Sequence, residues 1–164
     1  MSRQSLCLIW FFTSVTFLVS ACASAPFKME GVNLALTPPQ TIDNEQHLNK
    51  KVVWGGMIVD TRNFKDSSQI ELLNYPLDSN GEPIRSAQAQ GRFIIKVNGF
   101  LDPAQYNSGR WLSALGIVRP SEAGKIGDVS YQYPVMQAEQ VHIWSEYSDS
   151  NTSTTFHFGI GIGF

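Results

Sequence analysis

Cysteine and charge are both scarce in this sequence. Its 164 residues include two cysteines, and 16% are charged, against roughly 25% in a typical soluble domain. Two cysteines are too few for a disulfide framework or a four-thiolate metal site. The formal net charge of −2 lacks the basic excess with which nucleic-acid-binding proteins neutralise phosphates. A single domain with no nucleic-acid partner is therefore expected.

The sequence also lacks the motifs of common catalytic and metal sites. Its histidines, His47, His142 and His157, lie far apart, without the spacing of metal ligands. There is no Gly-x-Ser-x-Gly nucleophile motif. The acidic residues are dispersed, so a hydrolase would need two carboxylates from separate segments to converge within ~5–10 Å. We predict a protein that is not an enzyme and holds no cofactor or metal, with such a hydrolase as the alternative.

The chain has a long apolar run, but it lies at the N-terminus and is short. Leu6 to Val19 is an uncharged run of 14 residues that follows Arg3. A membrane-spanning helix needs ~20 apolar residues. A positive start followed by a shorter apolar run is typical of a secretory signal peptide.

The four residues at the end of this run resemble the lipobox of bacterial lipoproteins. They are Val19, Ser20, Ala21 and Cys22. The resemblance implies cleavage after Ala21 and acylation of Cys22, with diacylglycerol on its sulfur and palmitate among the chains. Several acyl chains are enough for stable anchoring. Ala23, where an aspartate would favour retention at the inner membrane, implies export to the outer membrane with the domain facing the periplasm. An ordinary signal peptide with a chance cysteine is the alternative.

Composition divides the chain into four parts. These are a lipoprotein signal peptide (1–21), the lipidated cysteine and a tether (22–50), a β domain (51–145), and a polar spacer with a glycine- and aromatic-rich tail (146–164). Within the tether, Thr37-Pro38-Pro39-Gln40 predicts a short helix, with Thr37 as its N-cap.

The middle of the chain is rich in short strand-like segments. They lie at 51–59, 69–75, 91–97, 110–118 and 140–144, with a further extended segment at 131–136 and a loop at 120–128. Asp102-Pro103 predicts a short helix between the third and fourth strands. Five strands with a helix in that place predict a mainly β fold, a small OB-like antiparallel barrel. Gly55-Gly56 predicts a bulge or a sharp bend in the first strand. A generic antiparallel sheet is the alternative.

Several segments together resemble one family. They are the lipobox at Cys22, then Val53-Trp54-Gly55-Gly56-Met57-Ile58, Tyr75-Pro76-Leu77-Asp78, Gly91-Arg92-Phe93, Gly99-Phe100-Leu101-Asp102-Pro103, Gly124-Lys125-Ile126-Gly127 and Tyr131-Gln132-Tyr133-Pro134-Val135. Their order and spacing resemble the Slp family of outer-membrane lipoproteins, over Cys22 to about Trp144. The resemblance implies a lipid-anchored outer-membrane protein with an envelope role in stress or starvation. It supplies no catalytic residues.

Three tyrosines are candidates for a ligand-binding face. OB-like barrels bind oligosaccharides on one face, and Tyr106, Tyr131 and Tyr133 offer aromatic rings for stacking. A polysaccharide- or peptidoglycan-binding module is therefore the alternative function, and a cell-envelope polymer or protein is the expected partner beside the membrane. If the three rings are buried, this hypothesis loses its basis.

The last residues alternate in a way that leaves three interpretations open. Phe156, Phe158, Ile160, Ile162 and Phe164 are separated by histidine or glycine. This pattern fits a strand that closes the domain's own sheet, a tail that contacts a membrane or partner, or a flexible end. It also resembles the last strand of an outer-membrane barrel, but the internal strands lack the ten-residue alternation that a transmembrane barrel requires.

The lipobox predicts that Cys22→Ser abolishes acylation and membrane retention, because no other sulfur remains in the mature chain. Labelling of cells with radioactive palmitate, followed by membrane fractionation, measures both effects. Palmitate found on the variant would refute the anchor assignment.

Overall fold

The computed structural model describes residues 26–145, except residue 29. The signal peptide, its cleavage residues Val19, Ser20 and Ala21, the lipidated Cys22 and the C-terminal tail lie outside these residues and stay predictions. The described part of the chain is mainly β. Its strands are β1 (Lys51–Asn63), β2 (Ser67–Asn74), β3 (Arg92–Asn98), β4 (Trp111–Ile126) and β5 (Val129–Trp144), preceded by two 3-10 turns, Pro38–Thr41 and Glu45–His47.

The five described strands form one sheet that closes into a ring. Their order is β1-β2-β3-β5-β4, and β4 pairs back onto β1. All neighbours are antiparallel except β3 and β5, which run parallel where Ile94 lies opposite Val135. Residue Gly56 of β1 faces Asn74 on one side and Leu112 on the other. Closure in this way removes the free strand edges at which other chains could pair.

The interior of the ring holds the main hydrophobic core. In β2 every second residue is buried, as expected for a strand with one face inward. The Trp54 and Phe93 rings pack edge to face, with centroids 5.5 Å apart. Other members of the core come from all five strands: Val52, Ile58, Ile70, Leu72, Ile95, Leu112, Ala114, Val118 and Met136. Leu36 closes one end, and its carbonyl accepts a hydrogen bond from Trp54 Nε1 at 2.8 Å.

The glycine pair in β1 allows a close approach between strands. A Cβ atom at Gly56 would lie 1.9 Å from the Leu73 carbonyl oxygen, and one at Gly55 would lie 2.5 Å from Ser113 Oγ. The register shift in β1 lies further on, between Ile58 and Asp60. These glycines therefore bring neighbouring strands together, while the bulge is elsewhere.

The predicted helix between the third and fourth strands is wrong. Asp102 does cap locally, since its carboxylate accepts from the Ala104 N–H at 2.9 Å, and its carbonyl accepts from the Tyr106 N–H at 3.0 Å. The chain then makes turns but no helix. Gly109, with φ of +90°, then leads back to the sheet, where its N–H donates to the Ile58 carbonyl at 2.9 Å. The contact with Ile58 ties the end of the connection to the sheet, and turns take the place of the predicted helix.

The short helix predicted near Thr37 is confirmed as the 3-10 turn Pro38–Thr41.

The predicted loop at 120–128 is wrong. Strand β4 continues through Ile126, which lies opposite Val129 at the end of a long hairpin. The predicted segments at 131–136 and 140–144 are one strand, β5. An irregularity between Arg119 and Glu122 absorbs Pro120 without ending the pairing.

The ring predicts a sharp contrast between two phenylalanines. Phe93 is 0% exposed and Phe100 is 71% exposed. Phe93→Ala should lower the free energy of unfolding by ~3–5 kcal/mol through the cavity that it leaves, and Phe100→Ala by less than ~0.5 kcal/mol. Urea denaturation of the purified protein measures both, and equal losses would contradict the placement of the core.

Candidate functional site

Two of the three candidate tyrosines lie together on the outer surface of the ring. Tyr131 and Tyr133 are two residues apart on β5, so they share a face, and their ring centroids are 4.7 Å apart. Tyr133 is 4% exposed and packs with Ile94 and Val135. Gly124, on the opposite strand, leaves room for the Tyr133 ring, because a Cβ there would lie 2.8 Å from it.

Both hydroxyls hold the β4–β5 hairpin against β2 and β3. Tyr131 Oη accepts from the Arg92 N–H at 2.9 Å. Tyr133 Oη donates to one of two acceptors, Glu71 Oε1 or the Lys125 carbonyl, each at 3.2 Å. Two ion pairs lie on the same surface: Glu71 with Arg92 at 2.7 Å, and Lys96 with Glu122. The hairpin therefore covers the outer face of β3.

Tyr106 lies elsewhere. It is half-buried and packs against the main core inside the ring, whereas Tyr131 and Tyr133 belong to the cluster on the outside. A stacking face made of the three rings therefore receives no support from their positions. Tyr133 in particular presents almost no surface to a ligand.

Burial changes the acidity of two of these tyrosines. It raises the pKa of Tyr106, and it raises the pKa of Tyr133, where the nearby Glu71 carboxylate adds to the effect. Both hydroxyls therefore stay protonated at neutral pH, and that of Tyr133 acts as a structural hydrogen-bond group. The carboxylate of Glu71 faces Arg92 and Tyr133, a setting that favours a structural ion pair.

A second outer surface carries a group of aromatic side chains that sequence reasoning missed. We call it the aromatic face and define it by Phe27, Tyr75, Trp111, His142 and Trp144. Trp111 and Trp144 are direct partners across β4 and β5. Their rings pack edge to face with those of Tyr75 (4.9 Å) and His142 (4.4 Å) respectively, and Phe27 packs against His142 (6.3 Å). Strand register, which the sequence does not display, brings them together.

The chain preceding β1 and the connection between β2 and β3 build this face. Phe27 is 4% exposed and packs on Val53 and Leu115, together with Leu77. Ser113 Oγ donates to the Gly81 carbonyl at 2.6 Å and accepts from Trp144 Nε1 at 2.9 Å. These contacts fix both segments on the outside of β1, β4 and β5.

The clefts of the described surface are modest. One, of about 90 Å³, lies between Leu34, Trp54 and Tyr75. A wider groove of about 470 Å³ lies between Asp43, Glu45 and Gln132. Within residues 26–145, apart from residue 29, no three His, Cys, Asp or Glu side chains converge as metal ligands would. In the same residues no helix has the length and apolar character needed to cross a membrane.

These features define a class: a small domain built from a closed, mainly antiparallel β sheet. A family model places it further. The model for the outer membrane lipoprotein Slp family matches residues 19–159, and the chain belongs to that family. Its location is accordingly the outer membrane. The match begins at Val19, the first residue of the predicted lipobox.

Individual relatives agree with the family match. A protein of Haemophilus influenzae, named only as an uncharacterized protein, is 32% identical over 152 residues, which cover 90% of this chain and 79% of that one. The outer membrane protein Slp of Escherichia coli is 27% identical over 90% of this chain and 81% of its own length. The uncharacterized lipoprotein YeaY of Escherichia coli is 28% identical over 77% and 67%, respectively.

The raised pKa of Tyr133 predicts a loss of stability in alkali. The unfolded chain releases this proton near pH ~10 while the folded chain retains it, so unfolding becomes easier as pH rises. Between about pH 8 and about pH 11, the urea midpoint of the Tyr133→Phe variant should fall less than the urea midpoint of the unchanged protein. Equal falls in the urea midpoint of the two proteins would show that Tyr133 does not contribute to the loss of stability in alkali.

Proposed function

We propose that this chain is a non-enzymatic lipoprotein whose β domain is anchored to the outer membrane through acyl groups on Cys22 and faces the periplasm. Its role is envelope support under stress or starvation. The observation that carries the proposal is the family match, which begins at the lipobox and continues through the whole β domain.

The sequence around Cys22 supports the anchor. A short apolar run, two small residues and a cysteine follow one another in the order that lipoprotein processing requires. The names of two relatives, an outer membrane protein and a lipoprotein, are consistent with the same processing. The residue after the cysteine, Ala23, favours the outer membrane.

The described surface supports a role in contact rather than in catalysis. Several of its acidic side chains pair with cations, among them Glu71 with Arg92, Glu139 with Lys51 and Glu122 with Lys96. A carboxylate that already has a cation partner is stabilised in its charged form and is poorly placed to act as a general acid.

We also infer that the ring is an OB-type barrel. Support comes from the five strands of the described chain, their order β1-β2-β3-β5-β4 and the closure of β4 on β1. OB barrels bind polymers on the face of the second and third strands. Here the β4–β5 hairpin covers β3 through Tyr131 and Tyr133, so a polymer would have to bind elsewhere.

The orientation can be tested with a tag in the turn at Gly127, which is exposed and joins β4 to β5. Exposed turns tolerate short insertions. Proteinase K should spare the tag in intact cells and remove it once the outer membrane is permeabilised. The same tag in a Cys22→Ser chain serves as a control, which should be protected equally but recovered in the soluble periplasmic fraction.

Removal of the tag from intact cells would place the domain on the cell surface and contradict the proposed orientation. Recovery of the control in the membrane fraction would contradict the anchor.

A further inference from the structure

We propose that the aromatic face, together with the exposed Leu34 and Ile84 beside it, lies against the lipid surface of the membrane to which the chain is anchored. This inference rests on the proposed acylation of Cys22. It adds a definite orientation of the domain to the anchor.

The short distance along the chain from Cys22 to Phe27 supports this orientation. Phe27 is docked on the ring, 4% exposed, against Val53 and Leu115. Five residue steps separate it from Cys22, and at ~3.6 Å per step they reach at most ~18 Å. A domain of about 100 residues has a radius of gyration of ~13 Å, so it is more than ~26 Å wide. The reach is therefore shorter than the domain is wide, so the side that carries Phe27 must face the bilayer.

The exposed side chains around Phe27 suit a lipid surface. Leu34 is 55% exposed and Ile84 is 39% exposed. Both lie beside Pro76: Leu34 lines the same cleft, and the Ile84 N–H donates to the Pro76 carbonyl at 2.8 Å. Next to them lie the half-buried Trp111 and Trp144. Tryptophan and tyrosine are enriched at membrane–water interfaces, where their rings are apolar and their polar atoms stay hydrogen-bonded.

The charges on this side do not oppose contact with lipid. The Arg85 guanidinium lies 5.4 Å from the Trp111 ring and pairs with Glu82 at 3.1 Å. Asp78 accepts hydrogen bonds from the Asn80 and Glu82 backbone N–H groups. The acidic groups of the β2–β3 connection, Asp78 and Glu82, are thus compensated within it. Lys28 and Glu30 are both exposed near Phe27, so this segment adds one charge of each sign and no net charge.

The far end of the ring provides matched control positions. Phe64 is 56% exposed and Phe100 is 71% exposed. They lie at one end, where Asn63 Nδ2 donates to the Leu101 carbonyl at 2.9 Å. Phe64 follows the end of β1, roughly 36 Å along the strand from Val53. On the proposed orientation both phenylalanines point away from the anchor.

The test uses single cysteines in the full, acylated chain. Because acylation occupies the Cys22 sulfur and Cys7 leaves with the signal peptide, a new cysteine would be the only free thiol. Four single-cysteine variants are each labelled with the polarity-sensitive dye NBD: Leu34→Cys, Ile84→Cys, Phe64→Cys and Phe100→Cys. The labelled proteins are reconstituted into vesicles of phosphatidylethanolamine and phosphatidylglycerol that contain nitroxide-labelled lipid.

We expect blue-shifted emission and nitroxide quenching at positions 34 and 84, and water-like emission without quenching at positions 64 and 100. If the protein floats with the vesicles but all four positions give the same signal, or positions 64 and 100 give the stronger one, the proposed orientation is overturned and the anchor is not. Loss of flotation together with NBD on Cys22 would instead overturn the anchor, and the inference with it.

A second variant tests the role of Phe27 without changing the anchor. Phe27→Ser removes the docked ring, which lengthens the free tether. Flotation should persist, and the difference between the two pairs of label positions should disappear. If that difference stays unchanged, docking of Phe27 does not orient the domain and the proposal fails. Far-UV circular dichroism checks that the ring remains folded.

Discussion

The pairing of β1 on both of its edges is the constraint on which the structure depends. One strand bonds to β2 along its second half and to β4 along its first half, and the two pairings overlap at Gly56 and Met57. Only a residue without a side chain allows the Leu73 carbonyl to come so close at Gly56. This double pairing separates an interior, filled by Trp54 and Phe93, from an exterior that is available for contacts.

The exterior is used differently on its two sides. On one side the β4–β5 hairpin lies over β3, held by Tyr131, Tyr133 and the surrounding ion pairs. On the other side the chain preceding β1 returns over the ring and buries Phe27. The first side is closed by the protein itself. The second ends in half-buried tryptophans and exposed aliphatic groups, and its Phe27 lies five residues along the chain from the cysteine that we propose to be acylated.

Much of the fold could be predicted because short strands leave local patterns. The β-branched run around Val53 and the alternation from Gln69 indicated strands in the right places. Asp102-Pro103 misled, because a capping pair signals a helix start whether or not the chain that follows forms one. The long β4–β5 hairpin was not predicted, because Pro120 and Gly124 are typical of loops when only the local sequence is considered. In the structure, pairing with residues of β5 keeps this segment in a strand. For the same reason the aromatic face was not foreseen: Trp111 and Trp144 meet only through strand register.

The central claim is that acyl groups on Cys22 attach this domain to the outer membrane. Intact-mass spectrometry of the protein purified from membranes tests it most directly. The account predicts a chain that begins at Cys22 and carries the mass of a diacylglyceryl thioether with an acylated amine. An unmodified thiol at Cys22, or a chain that still contains residues 1–21, would contradict it.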